Sequence, residues 1–272
     1  MVLTFLIMAA HHRMIMIMSA DLAVNKLLGI RFHGQGKQAL LLTITERIDR
    51  REKTIVLSGN VHGFNLAYEQ PWLRDFYNRA DFIRIDGAGL RLGAYLLGQT
   101  LPARITMADF IWDLAAYAEP RRYRLFFLGA APGIAQAAAD RLQERHPALQ
   151  IVGTEHGYFS KTAGHPENEA VLNRIAASQP DILFVGMGMP LQERWLCENH
   201  ERLAATVTLS AGAIFDYTAG HLQRPPLIFT GTGFEWFGRL LIEPKRLWRR
   251  YLIGNPLFIW RIVKQKFGYG LK

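Results

Sequence analysis

The stretch Asp81-Phe82-Ile83-Arg84-Ile85-Asp86-Gly87-Ala88-Gly89-Leu90-Arg91 decides how the chain is read. Phe82 to Ile85 is a short strand that stops at Asp86. Gly87 and Gly89 then permit a tight turn, because glycine enters φ > 0 without steric cost. Leu90, Leu92, Leu96 and Leu97 resume with helical spacing. Strand, glycine-rich turn and helix in that order form the unit of an open α/β sheet, where ligands sit outside the carboxyl ends of the strands. A carboxylate there can act as a base, hold a ribose, or merely cap the next helix. All three readings are open at this point.

The same unit recurs on both sides of this stretch. Lys53 to Leu57 is a buried strand ending at Ser58-Gly59-Asn60, and Arg124 to Leu128 leads into Gly129-Ala-Ala-Pro-Gly133. Leu149 to Val152, Asp181 to Val185 (ending at Gly186-Met-Gly-Met-Pro190) and Thr206 to Leu209 (closing in Gly212 and Asp216) read as further strands. Helical patterns fill the intervals: Gln38 to Ile48, Val61 to Arg79 with a break near Pro71, Ala108 to Ala118, an Ala-rich run to Arg145, Asn168 to Ser178, and Gln192 to Leu203. Leu27 to Phe32 is a short strand-like segment. The strands are continuous apolar runs, as expected when both faces are covered. This predicts an α/β fold over residues 22–223: a Rossmann-like, mostly parallel sheet with helices on both faces.

Charge placement marks off the rest. Of the net charge of +9, +8 falls in residues 224–272, which also hold 10 of the 31 aromatic residues. A near-neutral core therefore carries a basic, aromatic, helical C-terminal appendage, of a kind suited to a membrane surface or to nucleic acid. No nucleic-acid motif is present, which favours the membrane. Leu240, Leu247, Trp248, Tyr251 and Leu252 are expected on one helical face, with Arg239, Arg246, Arg249 and Arg250 on another. So many arginines suit a diphosphate, which a guanidinium binds bidentately.

At the other end, residues 1–21 read as a flexible extension, with the protein proper beginning near Met18. Their apolar runs, interrupted by His11-His12-Arg13, are too short to span a bilayer. The single Cys197 excludes an intrachain disulfide and fits a reducing compartment. There is no Asp-x-Asp and no zinc-like spacing of His and Cys, so neither a metal nor a cofactor is expected. Gly87-x-Gly89-x-x-x-Gly93 is near a dinucleotide fingerprint, but the third glycine comes one residue late. Ser58, Asn60, Asp86, Gly129, Gly186, Gln192 with Glu193, and Asp216 all fall at strand ends. Each has a structural explanation of its own; together they resemble a nucleotide pocket.

These stretches resemble the bacterial WecG/TagA/CpsF glycosyltransferases (glycosyltransferase family 26) from about Leu28 to Leu252. The resemblance is carried by Asn60, Ala80-Asp81 with Asp86-Gly87, Arg104-Ile105-Thr106, Phe127-Leu128-Gly129, Gly157-Tyr158-Phe159, Gly188-Met189-Pro190-Leu191-Gln192-Glu193, Phe215-Asp216, Arg224-Pro225-Pro226 and Glu235-Trp236 through Arg250-Tyr251-Leu252. It implies a metal-independent, inverting hexosyltransferase, peripheral on the cytoplasmic face of the bacterial inner membrane. The donor would be a UDP-sugar and the acceptor a polyprenyl-diphosphate-linked sugar. It implies Asp86 as the base, a donor pocket with Ser58, Asn60, Arg104, Gln192 and Asp216, and Arg239, Arg246 and Arg250 on the acceptor diphosphate. Two runs depart from the family pattern: Thr106-Met107-Ala108-Asp109 replaces Thr-Gly-Ser-Asp, and Arg224-Pro225-Pro226 replaces Arg-Ala-Pro. The first tells against an N-acetylmannosamine donor, and the sequence resembles more closely the exopolysaccharide branch, whose xanthan member adds glucose. The competing readings are a non-catalytic nucleotide-binding subunit of a polysaccharide assembly complex and a nicotinamide oxidoreductase. The oligomeric state is left open, a homo-oligomer included.

Overall fold

The computed structural model of the protein describes residues 24–223, 229 and 235–269. The expected N-terminal extension, Arg224-Pro225-Pro226 and Thr230-Gly231-Thr232-Gly233 lie outside the described residues. A hairpin comes first: β1 (Val24–Leu27) and β2 (Ile30–His33) pair antiparallel across Leu28 and Gly29. The expected single segment is thus two strands, turned by two residues at φ 50° and 81°, as tight hairpin turns demand.

Then follow α1 (Lys37–Arg50), β3 (Thr54–Gly59), α2 (Val61–Glu69), α3 (Pro71–Arg79), β4 (Phe82–Ile85), α4 (Ala88–Leu96) and α5 (Met107–Ala118). β5 (Arg124–Gly129), α6 (Ile134–Arg145), β6 (Gln150–Glu155), α7 (Pro166–Ser178), β7 (Ile182–Gly186), α8 (Leu191–Asn199), β8 (Val207–Ser210) and α9 (Ile214–Thr218) complete the core. The six strands β3 to β8 form one sheet in the order β4-β3-β8-β7-β5-β6, and every pairing in it is parallel.

Side-chain alternation explains the unbroken apolar runs. Leu125 and Phe127 of β5, with Ile182 and Phe184 of β7, enter the core on one face of the sheet. Their neighbours Phe126, Leu128, Leu183 and Val185 enter the core on the other. No strand position between them is left to solvent, so no polar residue is required there.

β5 sends the chain outward to the edge strand β6, whereas β7 sends it inward to β8. Winding therefore reverses between β5 and β7, where a crevice opens at the strand ends in this class of sheet. The two strands approach closely there. A Cβ on Gly129 (φ 147°) would fall 2.1 Å from the carbonyl oxygen of Gly186.

The appendage is not one helix. It comprises α10 (Glu235–Ile242), α11 (Pro244–Trp248), a π-helical turn over Arg249–Ile253, and α12 (Gly254–Lys266). Leu240, Leu247 and Tyr251 form its own small core against Trp236. Trp248 and Leu252, expected on that face, are exposed; the π-helical turn that starts at Arg249 shifts the register of Leu252.

The expected boundary at residue 224 also needs correction. Phe258 and Ile262 of α12 are fully buried in the core shared with Leu57, Phe64 and Ile85. Arg261 donates to the backbone carbonyl of Asn65 (3.0 Å), and the Gln265 side chain accepts from the Leu28 amide (2.7 Å). Emptying the site of one buried Phe costs about 3–5 kcal/mol, so α12 belongs to the folding unit. Among the described residues, α10, α11 and the π-helical turn remain as an appendage.

The near-fingerprint glycines serve this same packing. A Cβ on Gly93 would sit 2.7 Å from the Phe258 ring, and one on Gly89 would sit 2.4 Å from Val61. Gly89 and Gly93 thus admit α2 and α12 against α4, which accounts for their spacing without a dinucleotide.

Candidate active site

The carboxyl ends of β3, β4, β7 and β8 carry the polar groups. After β3, Asn60 caps α2: its Oδ1 accepts from the Gly63 amide at 2.9 Å. Asp86 does not cap α4. That position is taken by Gly87 at φ 105°, with no side-chain bond to the helix. The Asp86 amide donates to the Gly59 carbonyl at 2.7 Å, which pins the residue to the end of β3. Its carboxylate lies 3.4 Å from Ser58 Oγ and 3.9 Å from Arg84 Nη1.

Two cavities meet at Asp86. The larger, about 1040 Å³, runs over the β5–β7 crevice past Gly186, Gln192, Asp216 and Arg246. The smaller, about 340 Å³, lies between α4, α10 and α12, against Leu92, Trp236, Phe258 and Ile259. Asn60, His62, Asp86, Glu235, Arg239, Arg250 and Tyr251 line both.

The other expected residues divide. Ser58 and Asp216 line the larger cavity, as does Gln192. Gln192 is also a structural tie: its Oε1 accepts from the amides of Gly188 (3.2 Å) and Gly212 (3.0 Å), joining the loops after β7 and β8. Gly129 is not on the cavity wall; its neighbours Ala130 and Ala131 are, and Gly129 serves the close approach of β5 to β7. Arg104 lines the smaller cavity rather than the larger, and forms an ion pair with Glu235 of α10. That pair ties the appendage to the core across the site. Arg239 donates to the Tyr217 hydroxyl through Nε (3.1 Å) and Nη2 (2.9 Å). Arg246 is more exposed and paired with Glu243 at 2.6 Å.

The profile of the Glycosyl transferase WecG/TagA/CpsF family matches residues 25–271. The chain belongs to this family. Its relatives include an N-acetylglucosaminyldiphosphoundecaprenol N-acetyl-beta-D-mannosaminyltransferase of Staphylococcus aureus (strain NCTC 8325 / PS 47). That protein is 32% identical over 211 residues, which cover 78% of this chain and 80% of the relative. A protein of the same name from Bacillus spizizenii (strain ATCC 23059 / NRRL B-14472 / W23) is 30% identical over 223 residues, 82% of this chain and 83% of the relative. This chain is accordingly a glycosyltransferase.

Burial sets the protonation of several groups in this transferase. His62 lines both cavities, and its pKa falls to about 4 through burial, with the nearby Arg250 charge adding to the effect. It is therefore neutral at pH 7. Burial pushes the Asp216 carboxyl up, against the pull of His221 and Arg246.

Glu193, beside Gln192, is completely buried, and its pKa rises to about 7 from the ordinary 4.5, chiefly by desolvation. Its Oε1 accepts from Gln192 Nε2 at 2.7 Å, and Oε2 has no partner among the described residues. The unfolded chain loses this proton near pH 4.5 and the folded chain near 7. Stability should thus fall as pH rises between those values and level off above them. Glu193→Gln keeps the acceptor oxygen and removes the charge. We expect it to raise the unfolding free energy at pH 8 by on the order of 3 kcal/mol and to flatten the pH dependence. Thermal melts at pH 5 and pH 8 check this.

The sequence reading gave no role to Arg84, His62, Tyr217 or Glu235, although Glu235 stands in a stretch that carries the resemblance. A signal existed for Arg84: a charged residue inside an otherwise apolar strand. His62 was readable only as a neighbour of Asn60, and the Tyr217 and Glu235 roles depend on where α10 docks.

Proposed function

We propose that the protein is an inverting hexosyltransferase that moves a sugar from a UDP-sugar onto a polyprenyl-diphosphate-linked sugar in bacterial surface-polysaccharide synthesis. One observation carries this reading: Asp86 stands where two cavities of different character meet, with Arg239 and Arg250 on the same rim. The donor occupies the larger cavity, and Arg239, Arg246 and Arg250, which the resemblance assigned to the acceptor diphosphate, are proposed here to face the donor's diphosphate because all three line that cavity. The acceptor sugar enters from the smaller, more apolar cavity.

Asp86 takes the proton from the acceptor hydroxyl as that oxygen attacks the anomeric carbon. The bond from that carbon to the UDP oxygen breaks on the opposite face, which inverts the centre. UDP leaves as a stable anion, so no second carboxylate is needed. Arginines and backbone amides oppose the charge that develops on the diphosphate.

The donor is a hexose, UDP-glucose before UDP-N-acetylmannosamine. The larger cavity is walled at Thr106, Met107 and Ala108, where the family pattern carries a serine hydroxyl in place of the Ala108 methyl. Turnover of a panel of UDP-sugars on a defined polyprenyl-diphosphate sugar tests this. Transfer of N-acetylmannosamine alone would return the chain to the specificity in its relatives' names.

The reaction is proposed to be metal-independent. The chain has no Asp-x-Asp, and among the described residues no three His, Cys, Asp or Glu side chains cluster to hold an ion. Turnover is expected to survive EDTA. Its loss on chelation and recovery with Mg²⁺ or Mn²⁺ would overturn this part.

The protein is proposed to act while bound peripherally at the cytoplasmic face of the inner membrane. Among the described residues no helix is long and apolar enough to cross a membrane. Leu241, Trp248, Leu252, Ile253, Trp260 and Phe267 are exposed on the basic C-terminal part, a pattern suited to the headgroup boundary.

A further inference from the structure

The transfer chemistry above gives Arg84 no task. It occupies an interior position of β4 and is 2% exposed. An apolar residue would fit that position, whereas a buried guanidinium forfeits a large hydration free energy unless its surroundings replace it. Here they do so only partly. Nη2 donates to Ser58 Oγ at 2.9 Å and Nη1 donates to the Ile105 carbonyl, while Nε has no partner among the described residues.

The arrangement around Ser58 is fixed on every side. Ser58 and Arg84 are register partners on the parallel strands β3 and β4. The Ser58 amide donates to Ser210 Oγ at 2.7 Å, and its carbonyl accepts from the Tyr77 hydroxyl at 2.9 Å. A serine hydroxyl has one proton. Because Ser58 Oγ already accepts from Arg84, that proton is directed to its remaining polar neighbour, Asp86 Oδ2, at 3.4 Å. Arg84 Nη1 itself stands 3.9 Å from the same oxygen.

Resting on the reading of Asp86 as the base, we propose that Arg84 is a positioning residue: through Ser58 it holds one oxygen of the Asp86 carboxylate and leaves the other to receive the acceptor proton. Burial lowers the pKa of the Arg84 guanidinium, and the Asp86 charge opposes that loss. The cost of burying this cation is consistent with its holding a reacting group in place.

The test uses the full-length protein, a UDP-sugar that it turns over, a polyprenyl-diphosphate sugar acceptor, UDP titration calorimetry and thermal melts. Arg84→Met should lower kcat by about tenfold to a hundredfold, the scale of a misplaced catalytic group. Donor KM and UDP affinity should stay nearly unchanged. Arg84→Lys should restore part of the loss. In an Asp86→Asn background, Arg84→Met should add little, because nothing remains to be positioned. Ser58→Ala removes the intermediary and keeps the Arg84 cation, whose Nη2 then loses its acceptor. It should lower kcat in the same direction, and it serves as the test if Arg84→Met does not fold.

A folded Arg84→Met protein with wild-type kcat would overturn the positioning role and leave the base reading intact. So would normal turnover in Ser58→Ala, or a loss that multiplies with that of Asp86→Asn. Wild-type turnover in Asp86→Asn would instead overturn the base reading itself.

Discussion

Asp86→Asn is expected to lower turnover by about 10²–10⁴, the range that a positioned general base contributes, while UDP affinity stays close to wild type. Both halves follow from geometry. The Asp86 carboxylate points at the meeting of the two cavities and makes no side-chain bond to the first turn of α4. Removing its charge therefore leaves the helix and the glycine turn in place. The residue is held by its backbone, through the amide bond to Gly59, which asparagine keeps. Asparagine also retains an oxygen for Ser58 Oγ, so the pocket keeps its shape and loses only the ability to accept a proton. Single-turnover kinetics with saturating donor, beside UDP titration calorimetry, separates the two quantities. A mutant that transfers sugar at the wild-type rate would remove Asp86 from the chemistry. One that loses UDP affinity in proportion to turnover would make it a binding residue.

The sheet was legible because its strands are apolar throughout and each is followed by a glycine-rich or polar turn. β4 spans Phe82–Ile85 as expected, and the other strands shift by one to three residues at their ends. The grouping at the strand ends was legible for the same reason: a parallel sheet brings Ser58, Asn60, Asp86, Gln192 and Asp216 to one edge whatever the details. What escaped was everything that depends on docking between distant segments. Arg104 was assigned to the donor pocket on the family resemblance, yet its partner Glu235 comes from α10 and draws it to the smaller cavity. The C-terminal residues read as separable because charge counting is blind to the two buried side chains, Phe258 and Ile262, that fasten α12 to the core. The Gly93 spacing looked like a faulty nucleotide motif until Phe258 was found against it.

Arg239 and Arg250 should each prove far more costly to replace than Arg246. All three were grouped on sequence as ligands of the acceptor diphosphate, but the structure ranks them. Arg239 and Arg250 line both cavities beside Asp86, whereas Arg246 lines only the larger one. Arg239 is held in place by the Tyr217 hydroxyl and lies over that ring, 5.2 Å from its centroid. Burial alone would ease its proton off; Tyr217, Tyr251 and Asp86 outweigh that, so its charge is secure. A fixed cation is worth most where charge develops in the transition state, since no reorganisation is needed at the moment of reaction. Arg239→Gln and Arg250→Gln are therefore expected to lower kcat by about 10²–10³, the cost of removing one preorganised donor from such a site. Arg246→Gln should cost about tenfold or less, because its side chain is more than half exposed and already paired with Glu243. Binding to anionic vesicles should change little in any of the three, since the other basic residues and the exposed aromatics of the C-terminal part remain. Sedimentation with vesicles alongside transfer assays gives both numbers. Equal losses at the three positions would overturn this ranking, and losses that track vesicle binding would mean that these arginines act only by holding the protein to the membrane.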